Sequence, residues 1–228
     1  MQKIQLQASD QHPLTALHWA HEIPGPGLII LHDIFGMTPF IQNFSQYWHE
    51  QGFEVITPAL YDRIERGVAI PYTPDGYKQA LAMKERARNW DQQILDIDTA
   101  KVFLQERGIK DVFVMGCSWG GTLTWLAACR LKGLSGGISY YGTHIYNFRL
   151  EAPKIPLLLL FAEHDDLVPL EHVRELEQLH PKVEIILYPG STHAFRCEDW
   201  AGGNHQAYDQ HTSKLADQRA LAFLKPLI

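Results

Sequence analysis

Residues 112–127, VFVMGCSWGGTLTWLA, set a thiol and a hydroxyl side by side, Cys117 and Ser118, among glycines. Either group is a nucleophile once its proton is drawn off. The order Gly116-x-Ser118-x-Gly120, with an apolar strand-like run before it and a helix-like run after it, reads as a tight strand–turn–helix. Such a turn strains its central residue and lifts that side chain out of the fold, and flanking side chains would collide with neighbouring elements. Ser118 holds the central position and is the candidate nucleophile. Cys117 precedes it and is expected to turn inward as a small hydrophobe.

A serine hydroxyl needs a base, and the base needs an acid to orient it. On this kind of scaffold they follow in the order Ser, Asp or Glu, His. The run LLLLFAEHDDLVP offers Asp165 and Asp166 just after one apolar stretch, and IILYPGSTHAF offers His193 just after the next. Backbone N–H groups must receive the charge that develops on a carbonyl oxygen. Trp119, at the start of a helix, supplies one, and Ile34 in HDIFGM is the best candidate for the other.

Around this set stand candidates for substrate contact. Arg63, Arg86, Arg88 and Arg196 could pair with a carboxylate. Phe35, Tyr61, Tyr77, Trp90, Trp119 and Trp200 could line an acyl pocket. Asp33 could steer substrate or structure its loop, and His32 could wall the pocket or serve the fold. The other histidines lack a metal-binding spacing, so no metal and no cofactor is expected.

These groups need elements to carry them. Apolar runs at 27–32, 54–60, 111–116, 136–142, 156–162 and 183–189 read as strands covered on both faces, because most are continuous rather than alternating. Helical patterns fall at 38–51, 78–107, 119–132, 170–180 and 205–225. This alternation predicts a mainly parallel sheet with helices on both faces. Segments 3–8 and 14–20 alternate and predict a hairpin at one edge. Irregular stretches at 61–77, 143–155 and 190–204 should gather at the carboxyl ends of the strands and form a pocket there.

The 228 residues suit one domain, 1–228. A formal net charge of −6 argues against a nucleic-acid or anionic membrane surface. No apolar run is long enough to cross a bilayer, and the start has no apolar core of the kind a secretory signal needs. Three cysteines without C-x-x-C spacing fit a reducing compartment, so a cytoplasmic protein, monomer or homodimer, is expected.

The landmarks LHDIFGM, TPALYDR, GCSWGG, AEHDDLVP and STHAF, in this order from about residue 25 onward, resemble those of the dienelactone hydrolase family, a branch with the α/β-hydrolase fold. The resemblance places Asp165, where D-x-x-V-P begins, on the catalytic acid and His193 on the catalytic histidine. Asp166 is then left to cap the turn or the helix beginning near Leu170. The family's best-known members carry Cys where this chain has Ser118 and Glu where it has Asp33. Their carboxylate-binding Arg falls one place from Arg196. The resemblance implies hydrolysis of a small carboxylic ester or lactone through an acyl-enzyme on Ser118, with Asp33, Phe35, Arg86, Arg196 and Trp90 contacting substrate. Acyl transfer or perhydrolysis by the same groups, a metal-dependent hydrolase, and a non-catalytic binding protein on a hydrolase scaffold are the alternatives.

Overall fold

The structure, a computed structural model, describes residues 1–200 and 208–228. Its frame is an eight-stranded sheet. The strands in chain order are β1 (Gln2–Gln7), β2 (Pro13–Trp19), β3 (Gly27–Leu31), β4 (Glu54–Pro58), β5 (Val112–Cys117), β6 (Gly136–Tyr140), β7 (Leu157–His164) and β8 (Glu184–Thr192). Across the sheet they run β1-β2-β4-β3-β5-β6-β7-β8. β1 and β2 form the expected antiparallel edge hairpin, and β2 also meets β4 antiparallel. From β4 to β8 every pairing is parallel.

Every residue of β3, β4, β5 and β6 is buried, which is why these strands read as unbroken apolar runs. One apolar layer packs α2 (Pro74–Arg86), α3 (Trp90–Glu106), α4 (Trp119–Arg130) and α5 (Leu170–Leu179) on one face of the sheet. The other layer packs α1 (Pro39–Glu50) and α6 (Gln210–Leu224) on the opposite face. In α1 the stripe Phe40, Ile41, Phe44, Trp48 supplies the contact, at the spacing one helical face requires.

The single helix expected over 78–107 is two helices. Thr73 caps the first with its side chain on the Gly76 N–H, and Pro74 opens it. The break at 87–89 is made by side chains. Asn89 turns extended and its amide oxygen accepts the Gln92 N–H, starting α3. Gln93 Nε2 donates back to the Ala87 carbonyl, closing the end of α2. At the other end of the chain, α6 begins at Gln210, with Asp209 accepting the Thr212 N–H. The expected helix over 205–225 therefore starts late, and its residues 205–207 lie outside the described residues.

The carboxyl ends of β3, β5, β6, β7 and β8 open at the same end of the sheet, where residues of the stretches 61–77, 143–155 and 190–200 line one cavity; 201–204 lie outside the described residues. No helix among the described residues is long and apolar enough to cross a membrane.

Candidate active site

Ser118 sits between β5 and α4 with φ +53° and ψ −111°, a conformation that an L side chain rarely adopts. Two contacts enforce it. The Ser118 N–H donates to the Tyr140 carbonyl at 2.9 Å, and the Ser118 carbonyl receives the Thr122 N–H one turn into α4. The glycines are sterically required. A Cβ on Gly116 would stand 2.3 Å from the Gly120 carbonyl oxygen, and one on Gly120 would stand 2.3 Å from that of Leu31.

β7 and β8 deliver the partners from neighbouring strands. Ser118 Oγ lies 3.1 Å from His193 Nε2, and His193 Nδ1 lies 2.8 Å from Asp165 Oδ2. With the ring proton on Nδ1 facing the carboxylate, Nε2 is free to accept the serine proton. Asp165 is buried, and its other oxygen accepts the Leu167 N–H at 2.8 Å. Asp165 thus organises the turn itself. The helix that follows has Pro169 at its N-cap.

Ile34 lies on the loop after β3, and Trp119 is the first residue of α4. Neither N–H donates to another group among the described residues. The Ile34 loop is braced from three sides. Asp33 Oδ1 accepts the Phe35 N–H at 2.8 Å, and Tyr72 donates its hydroxyl to Asp33 Oδ2 at 2.7 Å. Tyr61 donates to the Ile34 carbonyl at 2.9 Å. His32, fully buried, joins its Nδ1 to the Asp33 carbonyl at 2.6 Å and accepts the Leu60 N–H on Nε2. Asp33 and His32 therefore both serve the loop.

Burial with no cation in contact pushes the Asp33 carboxyl up to about 6, against the pull of its bonds from Tyr72 and Phe35. Burial pushes the His32 imidazole down to about 4. Cys117 is wholly buried, and burial raises its thiol far above the ordinary range.

Ser118 and His193 open onto a cavity of about 700 Å³. Asp33, Ile34, Phe35, Tyr77 and Trp200 line it, as the sequence suggests. Three expectations for substrate contact fail. Arg196 is 7% exposed, with its Nε 2.9 Å from Asp217 Oδ2 and its guanidinium 5.0 Å from the Phe44 ring, so the fold already uses its charge. Arg86 lies outside the cavity lining with its charge 3.6 Å from Glu65, in solvent. Trp90 packs its ring 5.3 Å from Phe148, behind the wall. Among the other candidates, Arg63 is committed to Asp10 and Asp96, and Arg88 pairs with Glu85. Tyr61 and Trp119 stack on each other at 5.2 Å beneath the site.

The cavity also uses residues that the sequence reading did not name: Tyr72, Leu81, Lys84, His144, Tyr146 and His172. A signal for part of this set was present. Thr73-Pro74 marks a helix start, and from it Tyr77, Leu81 and Lys84 fall on one face. Among the described residues, no three His, Cys, Asp or Glu side chains converge into a group that could hold a metal.

Comparison with known proteins fits this architecture. A candidate carboxymethylenebutenolidase of Yersinia pestis is 29% identical over 195 residues, covering 78% of this chain and 71% of that protein. The carboxymethylenebutenolidase of Pseudomonas putida is 24% identical over 233 residues, covering 98% and 96%. The crystal structure of a candidate dienelactone hydrolase from Klebsiella pneumoniae superposes with a TM-score of 0.81 at 22% identity, covering 99% of each chain. The model of the dienelactone hydrolase family matches residues 14–228, nearly the whole chain. The protein belongs to the dienelactone hydrolase family.

Proposed function

We propose that the protein is a serine hydrolase that cleaves a small carboxylic ester or lactone. The reading is carried by one observation: the hydrogen-bonded line from Ser118 Oγ through His193 to Asp165 at the mouth of a cavity of about 700 Å³. In this reading His193 Nε2 takes the hydroxyl proton while Ser118 Oγ attacks the carbonyl carbon. The Ile34 and Trp119 N–H groups receive the oxyanion, and each such donor is worth roughly a hundredfold or more in turnover. As the tetrahedral intermediate collapses, the C–O bond to the alcohol breaks and His193 returns the proton to that oxygen. From a lactone, the alcohol stays tethered to the acyl chain. Water, deprotonated by His193, then attacks the acyl-enzyme and releases the acid. Asp165 orients the imidazole and balances its charge.

Serine is proposed as the nucleophile because the thiol that competes with it, Cys117, is buried and held protonated. The carboxymethylenebutenolidase name carried by relatives supports the lactone as a substrate class. The test is hydrolysis of p-nitrophenyl acetate and of a dienelactone by the parent, Ser118→Ala and Cys117→Ala. Ser118→Ala is expected to lose about a thousandfold or more in kcat. Retained turnover in Ser118→Ala, or its loss in Cys117→Ala alone, overturns the assignment.

A further inference from the structure

We propose that Tyr141 is a positioning residue for His193, holding the imidazole in line between Ser118 and Asp165; the proposal rests on the hydrolase reading above. Among the described residues, four that are not glycine have positive φ: Gln11, Ser118, Tyr141 and Ala194. The last three border the same cavity. Backbone strain is therefore concentrated around the reacting hydroxyl and the imidazole, and Tyr141, at φ +41°, is the member with no role yet.

The strain has a definite geometric effect. Successive side chains on a strand point to opposite faces. Tyr140 ends β6 in the apolar layer of α1 and α6, so a regular continuation would send Tyr141 to the other layer. The left-handed turn keeps it in the same layer instead. Its N–H is fixed by a 2.7 Å bond to the Leu160 carbonyl of β7. The ring then stands 5.0 Å from the His193 ring at an interplanar angle of 68°, and 5.1 Å from the Phe195 ring at 78°. It therefore packs edge-on against both the imidazole and the Phe195 ring two residues further along.

The hydroxyl does not account for this placement. It is buried and makes no hydrogen bond of normal geometry among the described residues, with the Cys117 thiol alongside. The hydroxyl has at most the weak Cys117 thiol beside it, so the ring packing is what this strained placement secures. Without that packing the imidazole gains rotational freedom about its side-chain bonds, and the two hydrogen bonds it must make at once cease to be preformed.

The experiment compares the parent with Tyr141→Phe, Tyr141→Leu and Ser118→Ala on p-nitrophenyl acetate, each normalised to the folded fraction from a thermal melt. Misplacing a reacting group by about 1 Å costs on the order of a hundredfold, so Tyr141→Leu should lose roughly 30- to 100-fold in kcat. Its KM should stay within about threefold of the parent's, because Tyr141 is one buried member of a wall otherwise left in place. Tyr141→Phe, which keeps the ring and removes a hydroxyl with only the weak Cys117 thiol beside it, should keep kcat within about threefold of the parent's. Should leucine fail to fold, Tyr141→Met, which fills the space without a flat ring, carries the same expectation. A folded Tyr141→Leu with parental kcat, a loss confined to KM, or a phenylalanine variant as poor as leucine overturns the proposal while Ser118→Ala remains dead. Parental turnover in Ser118→Ala overturns the hydrolase reading, and this proposal with it.

Discussion

Two buried carboxylates stand at opposite ends of the parallel strands, and they are treated in opposite ways. Glu54 opens β4 at the amino end, with no exposed side-chain surface. Asp33 follows β3 at the carboxyl end, 6% exposed. Burial alone would push both carboxyls up. At Glu54 that push is overcome by the Arg107 guanidinium and by His18 at 2.9 Å, and its carboxyl ends below the ordinary value. Among the described residues Asp33 is bonded by the Tyr72 hydroxyl and the Phe35 N–H with His193 acting at a distance, and it stays up at about 6. The end of the sheet that holds the fold together neutralises its charges with counter-charges. The end that opens onto the cavity holds a carboxylate with no cation bonded to it among the described residues, and uses it to shape backbone.

The comparison can be broken by removing either acid. Glu54→Ala leaves His18 buried and Arg107 without its partner. It should cost on the order of 3 kcal/mol in urea unfolding with kcat per folded molecule unchanged. Asp33→Ala should invert that pattern. Freeing the Ile34 loop is expected to cost about a hundredfold in kcat, with a smaller change in the urea midpoint. If both variants lose stability alone, the two ends do not differ in purpose.

Acid sharpens the contrast further. Asp33 binds its proton more readily folded than unfolded, so its contribution to stability grows as pH falls from about 6 toward 4. His32 is held neutral, with its value near 4 against an ordinary 6.5. The unfolded chain therefore takes up that proton first, and stability falls over nearly the same range. The two effects oppose, each on the order of 2–3 kcal/mol. Asp33→Asn should unmask a steeper acid loss than the parent between pH 6.5 and about 4. His32→Gln should instead gain stability on acidification through that window, as read by urea titrations at stepped pH. The smallest effect belongs to Cys117→Ala, expected to keep kcat within about threefold because a buried thiol acts as a small hydrophobe.

How much of this was legible in the chain depended on range. The strand–helix alternation, Ser118, His193 and an acid at Asp165 or Asp166 were readable because apolar runs and strand-end positions are local properties, while the choice of Asp165 came from the family resemblance. The break at 87–89 was not read, since no glycine or proline marks it and a hydrogen bond from Gln93 makes it. Arg196 could not be placed either. Its partner Asp217 is 21 residues away, and only packing of α6 against the sheet brings them together. Tyr72 is similar: a bond to Asp33 across 39 residues decides its role.

The glycines at 116 and 120 have a broader consequence. Backbone meets backbone at both positions, with no room for even one carbon between β5 and α4 at Gly116 or between α4 and the exit of β3 at Gly120. The spacing between the hydroxyl-bearing turn and the loop of Ile34 is thus inherited from the main chain, and side-chain substitutions elsewhere in the core cannot readily retune it. Laboratory evolution of this protein should accordingly alter which molecules it accepts through the cavity side chains of Tyr77, Lys84, His144 and Trp200, while the distance across which the reaction occurs stays constant from one variant to the next.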